Sequence, residues 1–205
     1  APGGRITGTS DALNTKGLFD LMLAQSPDTK TVGLLYSKSE DSSKQPIADA
    51  KAYLESKGIR CVEKTGTTTD EITSAVDALI AEKVDAVFTP TDNTVMNAEL
   101  AIYEKFLNAK IPQYCGADSF ALNGAFVGYG VDYTKLGTIT ADMVVQVLVD
   151  GKDPATLPVT TFDNGIAMIN TESCAALGYD LAAVKQAFDG KCSSVLETTT
   201  QQNFD

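Results

Sequence analysis

The chain has 205 residues, of which 43% are hydrophobic and 21% charged, a composition typical of a globular protein and not of a disordered one. Its formal net charge of −11 disfavours nucleic-acid binding, because an acidic surface repels the phosphate backbone. The absence of His excludes Ser-His-Asp and Cys-His catalysis, so we expect no enzymatic activity.

Short apolar runs alternate with amphipathic stretches along the chain. The run at residues 31–36 is typical of a buried parallel strand, and a helix is predicted to begin near Pro46 and to end at Gly58. Further strands are predicted at residues 59–65, 85–89, 111–115, 126–131 and 166–169. Further helices are predicted at about residues 70–80 and at residues 93–108, 133–150, 171–177 and 181–188. This alternation predicts an α/β fold with a doubly wound parallel sheet and helices on both faces.

Two stretches do not fit this alternation. Pro154 and Pro158 interrupt residues 153–161, which we interpret as a connection between substructures. Residues 193–205 are polar and include a run of Thr and Gln, so they are predicted to form a disordered tail.

The loops after the predicted strands contain many hydroxyl and carboxylate groups and almost no cation besides Lys38. In an open parallel sheet, ligands bind beyond the carboxyl ends of the strands. A small zwitterion suits such loops, because Ser hydroxyls or helix amides would bind its carboxylate and Asp92 or Asp118 its ammonium. The same residue types are also the preferred helix caps, so capping remains the alternative. Residues 91–93 are the strongest candidate, since a cap needs only one polar residue.

Motifs for phosphate, dinucleotide and metal binding are missing. No Walker loop or EF-hand spacing occurs, and residues 128–130 (GYG) lack the third glycine of a dinucleotide fingerprint. We therefore expect no cofactor and no metal.

No CxxC pair occurs, and the cysteines are expected to be buried apolar side chains, with disulfides as the alternative and Cys174–Cys192 as the first pair to test. The cysteines are Cys61, Cys115, Cys174 and Cys192.

Several stretches between residues 6 and 180 resemble a known family. They are residues 6–11 (ITGTSD), residues 32–36 (VGLLY) with Ser39, Glu40 and Ser43, residues 88–95 (FTPTDNTV), residues 128–137 (GYGVDYTKLG), and residues 169–170 with 176–178. In this order and spacing they are similar to the ABC-transporter substrate-binding proteins of the type I periplasmic-binding fold. The group that they resemble most includes the tryptophan and aromatic amino-acid binding lipoproteins.

The resemblance implies a two-lobed clamshell, with most of the first lobe missing from this chain. Residues 1–11 would be a crossing between lobes, residues 12–131 the second lobe, residues 132–162 a segment that returns to the first lobe and crosses back, and residues 163–192 the end of the second lobe. A helix at residues 133–150 carries an apolar stripe that needs a partner. We therefore expect it to pack on this lobe or on another copy of the chain, as a homodimer.

The functional implication is the solute-binding component of an ABC importer. It would bind a small polar ligand, an aromatic amino acid such as tryptophan or a branched-chain one, and deliver it to a membrane permease without catalysis. Its location would be extracytoplasmic, in the periplasm or as a membrane-anchored lipoprotein with an upstream signal peptide. The alternatives are the ligand-sensing effector domain of a cytoplasmic regulator with the same fold, and an enzyme that works through paired carboxylates.

Transferred residue by residue, the resemblance also implies a set of ligand-binding positions. Ser10 and Ser43 would donate to the ligand carboxylate, and Asp92 or Asp118 would bind the ammonium. The half of the pocket that the first lobe supplies lies outside this chain. The full set is Ser10, Asp11, Ser39, Glu40, Ser43, Thr91, Asp92, Asn93 and Asp118.

Overall fold

The computed structural model describes residues 4–162 and 165–201. Helices and strands alternate over most of this length. In chain order the elements are α1 (Thr15–Gln25), β1 (Thr31–Tyr36), α2 (Asp41–Ser56), β2 (Arg60–Thr65), α3 (Thr69–Ala81), β3 (Ala86–Thr89), α4 (Asn93–Asn108), β4 (Gln113–Cys115), α5 (Ser119–Leu122), β5 (Val127–Gly130), α6 (Tyr133–Leu148), β6 (Ile166–Asn170), α7 (Thr171–Leu177), α8 (Leu181–Phe188) and β7 (Ser194–Thr198). A short 3₁₀ turn, Pro154–Thr156, follows α6.

The strands form one sheet in the order β2-β1-β3-β4-β5-β6-β7. The pairs from β2 through β5 are parallel, as is the β6–β7 pair, whereas β5 and β6 are antiparallel. Helices cover both faces, since α1, α2, α7 and α8 contribute to one buried cluster and α3, α4 and α5 to the other. The predicted doubly wound α/β architecture is confirmed.

The apolar runs form strands because both faces of the sheet are covered. Leu34 packs into the cluster on one face of the sheet and the adjacent Leu35 into the cluster on the other, and both are fully buried. Phe88 and Val87 on β3 divide in the same way. A strand that is buried on both sides is apolar at successive positions, which is the pattern that residues 31–36 and 85–89 display.

One strand runs against the expected direction. A parallel crossover needs a helix that packs back along the sheet and returns the chain to the opposite end of the strands. The helix between β5 and β6, α6, leaves the sheet at the carboxyl end of β5 instead, with only Met143 buried. The chain therefore re-enters the sheet at the same end of the strands at which it left, and β6 runs antiparallel to β5.

Three elements were absent from the sequence-based prediction, among them the short helix α5. α1 begins where the Asn14 side chain accepts a hydrogen bond from the Gly17 amide, and it buries Leu18, Leu21 and Met22 at helical spacing. The prediction of a disordered tail from residue 193 is wrong for Ser194–Thr198, which forms β7 through backbone pairing with β6. The end of that tail, residues 202–205, lies outside the described residues.

α6 is largely exposed. Val145, Leu148 and Val149 expose 48%, 78% and 76% of their surface, so the expectation that this helix packs on the body of the lobe is wrong. On its inner side, the Thr140 hydroxyl lies 2.6 Å from that of Thr9, and Met143 accepts a long contact from Thr160. An apolar helical face is thus left open to solvent.

The segment before α1 and the segment between α6 and β6 run side by side. Thr9 and Thr160 form a parallel bridge, in which the Ser10 amide donates to the Thr160 carbonyl at 2.9 Å and the Thr160 amide to the Gly8 carbonyl at 3.0 Å.

The four cysteines are free thiols, with Cys115 and Cys174 buried and the other two half-buried. Within residues 4–162 and 165–201, no helix has the length and apolarity required to cross a membrane.

Candidate functional site

A cavity of about 340 Å³ lies beyond the carboxyl ends of the central strands, where the architecture places ligands. This volume is at the lower end of the range of roughly 300–1,000 Å³ that is usual for small-molecule sites. The walls come from the segment before α1, the first turns of α2 and the loops after β3, β4 and β5. The lining includes Asp11, Leu13, Asp41, Ser42, Gln45, Pro46, Asp49, Thr91, Gly116, Asp118, Tyr129, Val131, Tyr133, Phe162 and Gly165.

The loops after β3 and β4 are held against each other. The Thr91 hydroxyl donates to the Gly116 carbonyl at 2.9 Å, and the Gly116 amide donates to the Thr89 carbonyl at 2.8 Å. A Cβ at residue 116 would lie 2.9 Å from the Thr91 nitrogen and 2.7 Å from a Leu13 methyl group. Only glycine permits this close approach, so the cavity wall depends on Gly116.

The cavity has an acidic lining. Asp11, Asp41, Asp49 and Asp118 line it, and no Lys or Arg does so among the described residues. Asp41 is paired with Lys44 at 2.5 Å, whereas no ion pair involves Asp11 or Asp118 in the described part of the chain. A cationic group on a ligand could therefore pair with either of these two carboxylates.

The cavity also has aromatic and apolar lining. Tyr133 and Phe162 contribute to it with Leu13, Pro46 and Val131. Partial burial, followed by the negative charges of Asp11 and Asp118, raises the pKa of the Tyr133 phenol. The two carboxylates and this ring thus lie close together, so the site presents negative charge beside an aromatic surface.

The structure brings some of the expected site residues together. Asp11, Thr91 and Asp118 line the cavity. Ser10 lies directly before this lining, but its side-chain oxygen accepts from the Ala12 amide at 3.2 Å and so stabilises the local turn. These positions come from three separate parts of the chain, as expected for loops that meet at one edge of a sheet.

Ser39, Glu40 and Asn93 form a separate cluster beside the cavity. Asn93 donates from its amide to Glu40 at 3.4 Å, and the Ser39 hydroxyl pairs with that of Ser37 at 2.7 Å. None of them is part of the cavity wall. They connect the loop after β1 to the start of α4.

The assignments of Asp92 and Ser43 as ligand contacts are corrected. Asp92 is 1% exposed and Ser43 is fully buried. One carboxylate oxygen of Asp92 accepts from the Ser37 amide and the Ser43 hydroxyl, both at 2.7 Å, and the other accepts from the Val95 amide at 3.0 Å. Because its oxygens are already bonded inside the protein, Asp92 ties two loops together and is not available to an ammonium group.

Sequence reasoning missed several lining residues. Asp41, Gln45 and Asp49 lie one turn apart along α2, a spacing that would have placed them on one helical face above the strand ends. Tyr133 follows directly after the loop that ends β5, so the same rule that selected the other loops points to it. Phe162 arrives from the crossing segment and has no comparable sequence signal.

A model of the ABC transporter substrate binding protein family matches residues 1–184 of the chain. The chain belongs to this family. Within the family, it is 33% identical over 177 residues to a tyrosine-binding protein of Clostridioides difficile, a match that covers 86% of this chain and 50% of that protein. The family match favours the importer component over the regulator alternative.

Solved structures agree with this assignment. The ABC domain in complex with L-Trp from Streptococcus pneumonia is 34% identical to this chain, with a TM-score of 0.76. The match covers 95% of this chain and 66% of the other one. The ligand-free, open structure of a substrate binding protein with adhesive properties from Clostridium difficile is 30% identical with a TM-score of 0.78, with coverages of 95% and 63%. The chain thus spans about half the length of the curated relative and less than two thirds of the second solved structure.

Proposed function

We propose that the chain supplies one half of an aromatic amino-acid site in the substrate-binding component of an ABC importer. The supporting observation is the cavity at the strand ends, where Asp11 and Asp118 stand beside the ring of Tyr133. The relatives named for tyrosine and crystallised with L-Trp support the ligand class. Since the curated relative is about twice as long as the matched region, the second half of the site comes from a first lobe.

The cavity suggests how the ligand lies in it. Its ammonium meets Asp118 and Asp11, and its aromatic ring lies against Tyr133 and Phe162. The first turn of α2 faces the cavity and has no side-chain cap, so its amides are suited to the ligand carboxylate. The remaining ligand surface is left for the first lobe, which would complete the enclosure.

The role is binding and release with no chemical step. The ligand passes to a membrane permease, and the location is extracytoplasmic, with a lipid anchor on the full-length protein. In this arrangement residues 1–11 and 132–162 connect to the first lobe, while residues 12–131 and 163–192 form the second lobe. Family membership and the paired crossing segments support this division.

A ligand-observed NMR titration tests the proposed ligand. The chain contains no Trp, so indole signals in a saturation-transfer experiment with L-tryptophan come from the ligand alone. We expect saturation transfer to the indole protons with an affinity near 1 mM, because half of the contacts are absent, which corresponds to about 4 kcal/mol. N-acetyl-L-tryptophan, which lacks the ammonium, should give no transfer. Micromolar binding by the 205-residue chain would contradict the half-site arrangement.

Variants locate the binding site. Asp118→Asn should weaken L-tryptophan binding about tenfold, because it removes a charge that pairs with the ammonium at a cost of roughly 1.4 kcal/mol. Asp189→Asn is the matched control, since Asp189 is exposed at the end of α8 and does not line the cavity. Equal L-tryptophan affinities for the two variants would show that the ligand does not bind at Asp118.

The exposed face of α6 completes the proposed arrangement. Val145, Leu148 and Val149 would be covered by the first lobe in a longer chain and by another copy of α6 in the 205-residue chain. We expect light scattering to show a mass that rises with concentration. Val145→Lys with Leu148→Lys should give a monomer, because buried charges in the contact would lack partners.

A single substitution elsewhere controls for added charge. Leu100 on α4 is 42% exposed and lies outside the α6 face, so Leu100→Lys should leave the association unchanged. A native chain that stays monomeric at every concentration would show that α6 does not mediate self-association.

A further inference from the structure

A carboxyl group on α4 lies buried in the protein interior. Glu99 on α4 is fully buried, and its Oε2 accepts one hydrogen bond, from the Gln113 side-chain amide at 3.1 Å. The Oε1 atoms of Glu99 and of Gln113 have no hydrogen-bond partner among the described residues. A polar group with so few partners is rare in a protein interior and calls for a specific cause.

The neutral acid is the form that this environment favours. No cation contacts Glu99 in the described part of the chain, so an ionised carboxylate would be a buried charge with a single neutral donor. Burial raises the pKa of Glu99 to about 8, against a smaller opposing effect of the Gln113 hydrogen bond. Glu99 is therefore protonated at neutral pH and ionises in mildly alkaline solution.

A second buried titratable group lies close enough to feel the charge of this carboxyl. Cys115 on β4 is fully buried, and its thiol pKa is raised well above the usual value by burial and then by the charge of Glu99. Most charged or ionisable groups on the other elements packed around α4 have partners of their own, and Asp70 of α3 is exposed to solvent. The paired groups are Asp77 of α3 with Lys105, Glu71 of α3 with Thr67, Glu172 of α7 with Thr200, Asp118 before α5 with Ser119, and Tyr36 of β1 with Glu63.

A short chain of hydrogen bonds connects Glu99 to the cavity wall. The Gln113 amide nitrogen that donates to Glu99 also donates to the Thr89 hydroxyl at 3.3 Å. Thr89 ends β3, and its carbonyl accepts from the Gly116 amide at 2.8 Å. Thr91 and Asp118, each two residues beyond these anchor points, stand in the wall of the cavity.

We propose that Glu99 is a positioning residue for the ligand site, and that only its neutral form holds the loops after β3 and β4 in the binding arrangement. Ionisation would demand donors that the core lacks, so α4 and β4 must separate or admit water, and Gln113 would be drawn away from Thr89. Because Thr89 anchors Gly116, the wall that carries Thr91 and Asp118 would shift and ligand affinity would fall. This inference rests on the proposed function of the same cavity.

The first test compares ligand affinity across pH. For the native chain, the apparent affinity for L-tryptophan should fall about fourfold between pH 6 and pH 8.5, if the neutral form alone is competent and Glu99 has a pKa of about 8. Glu99→Gln cannot ionise and should show no such loss. Glu104→Gln, an exposed position on the same helix, should keep the native profile. The same pH profile in the native chain and in Glu99→Gln would overturn the proposal.

The second test needs no variant. In the isotopically labelled native chain, the carboxyl carbon signal of Glu99 should titrate at mildly alkaline pH, and the Gly116 amide signal should shift with the same midpoint. The amide of Gly58, in the turn after α2, should not. A Glu99 signal that titrates near the ordinary value for Glu, or a Gly116 amide that does not respond, would overturn the proposal. If L-tryptophan gives no signal at any pH, the proposed ligand is wrong, whereas these shifts still decide the role of Glu99.

Discussion

Replacing Asp92 with Ala should lower the free energy of unfolding by about 3–5 kcal/mol. The substitution removes the acceptor for the Ser37 amide, the Ser43 hydroxyl and the Val95 amide, all of which are buried with the carboxylate. The Ser37 amide and the Ser43 hydroxyl would each cost about 1–2 kcal/mol, in the lower half of the usual range for a buried donor without a partner, and the loss of the Val95 helix cap adds about 1 kcal/mol. Urea unfolding followed by circular dichroism measures the effect as a lower midpoint.

Asp180 provides the matched comparison. It caps α8 in the same way, with its carboxylate accepting from the Ala183 amide at 2.8 Å, but it is exposed and has no bridging role. Asp180→Ala should therefore cost only about 1 kcal/mol. Equal losses for the two variants would mean that Asp92 acts as a cap alone, and that the ligand role rejected above has to be considered again.

The stability of the native chain should fall as the pH rises from about 5 to about 8, and Glu99→Gln should abolish this contribution. The pKa of Glu99 is about 8 in the folded state and near its usual value of 4.5 in the unfolded state. Below both values each state holds the proton, so there is no contribution. Between them the unfolded state releases the proton while the folded state keeps it, so folding becomes less favourable with rising pH. Above about pH 8 the contribution levels off.

Urea unfolding at a series of pH values measures this difference. At pH 8, Glu99→Gln should be more stable than the native chain, by an amount on the order of a few kcal/mol. The pKa values of Asp20 and Glu63 are lowered by neighbouring Lys and Tyr side chains, so these two carboxyl groups change the stability only at pH values below this range. Glu104→Gln should follow the native curve. Parallel pH curves for the native chain and Glu99→Gln would show that Glu99 is already ionised in the folded protein.

The layout of the fold followed from the sequence because burial on both faces leaves a clear pattern. Residues 31–36 and 86–89 are apolar at successive positions, and amphipathic stretches follow both. The direction of β6 could not be predicted, because it depends on whether α6 packs along the sheet. The apolar stripe of α6 shows that the helix needs a partner but does not indicate which surface that partner is. β7 is held by backbone pairing while its side chains are mostly exposed, so its polar sequence resembled a tail.

The site was predicted at the level of loops but not of individual side chains. Asp92 and Asp118 both follow apolar strands, and the sequence treats them alike. The structure separates them because Ser37 and Ser43 offer buried donors to Asp92, whereas Asp118 accepts from the adjacent Ser119 amide and remains in the cavity wall. Which carboxylate turns inward is decided by donors from a distant loop, and a single sequence does not show that pairing.

The bridge between Thr9 and Thr160 limits how a clamshell built on this chain could move. Hydrogen bonds join the two crossing segments at the Gly8, Ser10 and Thr160 backbones, so neither segment slides past the other without breaking them. In the proposed two-lobed arrangement, opening would therefore bend both segments at the same level, as a hinge with a single axis. Asp11 follows directly after the bridged segment and Phe162 lies two residues after Thr160, so such a hinge would move these two lining residues of the cavity together.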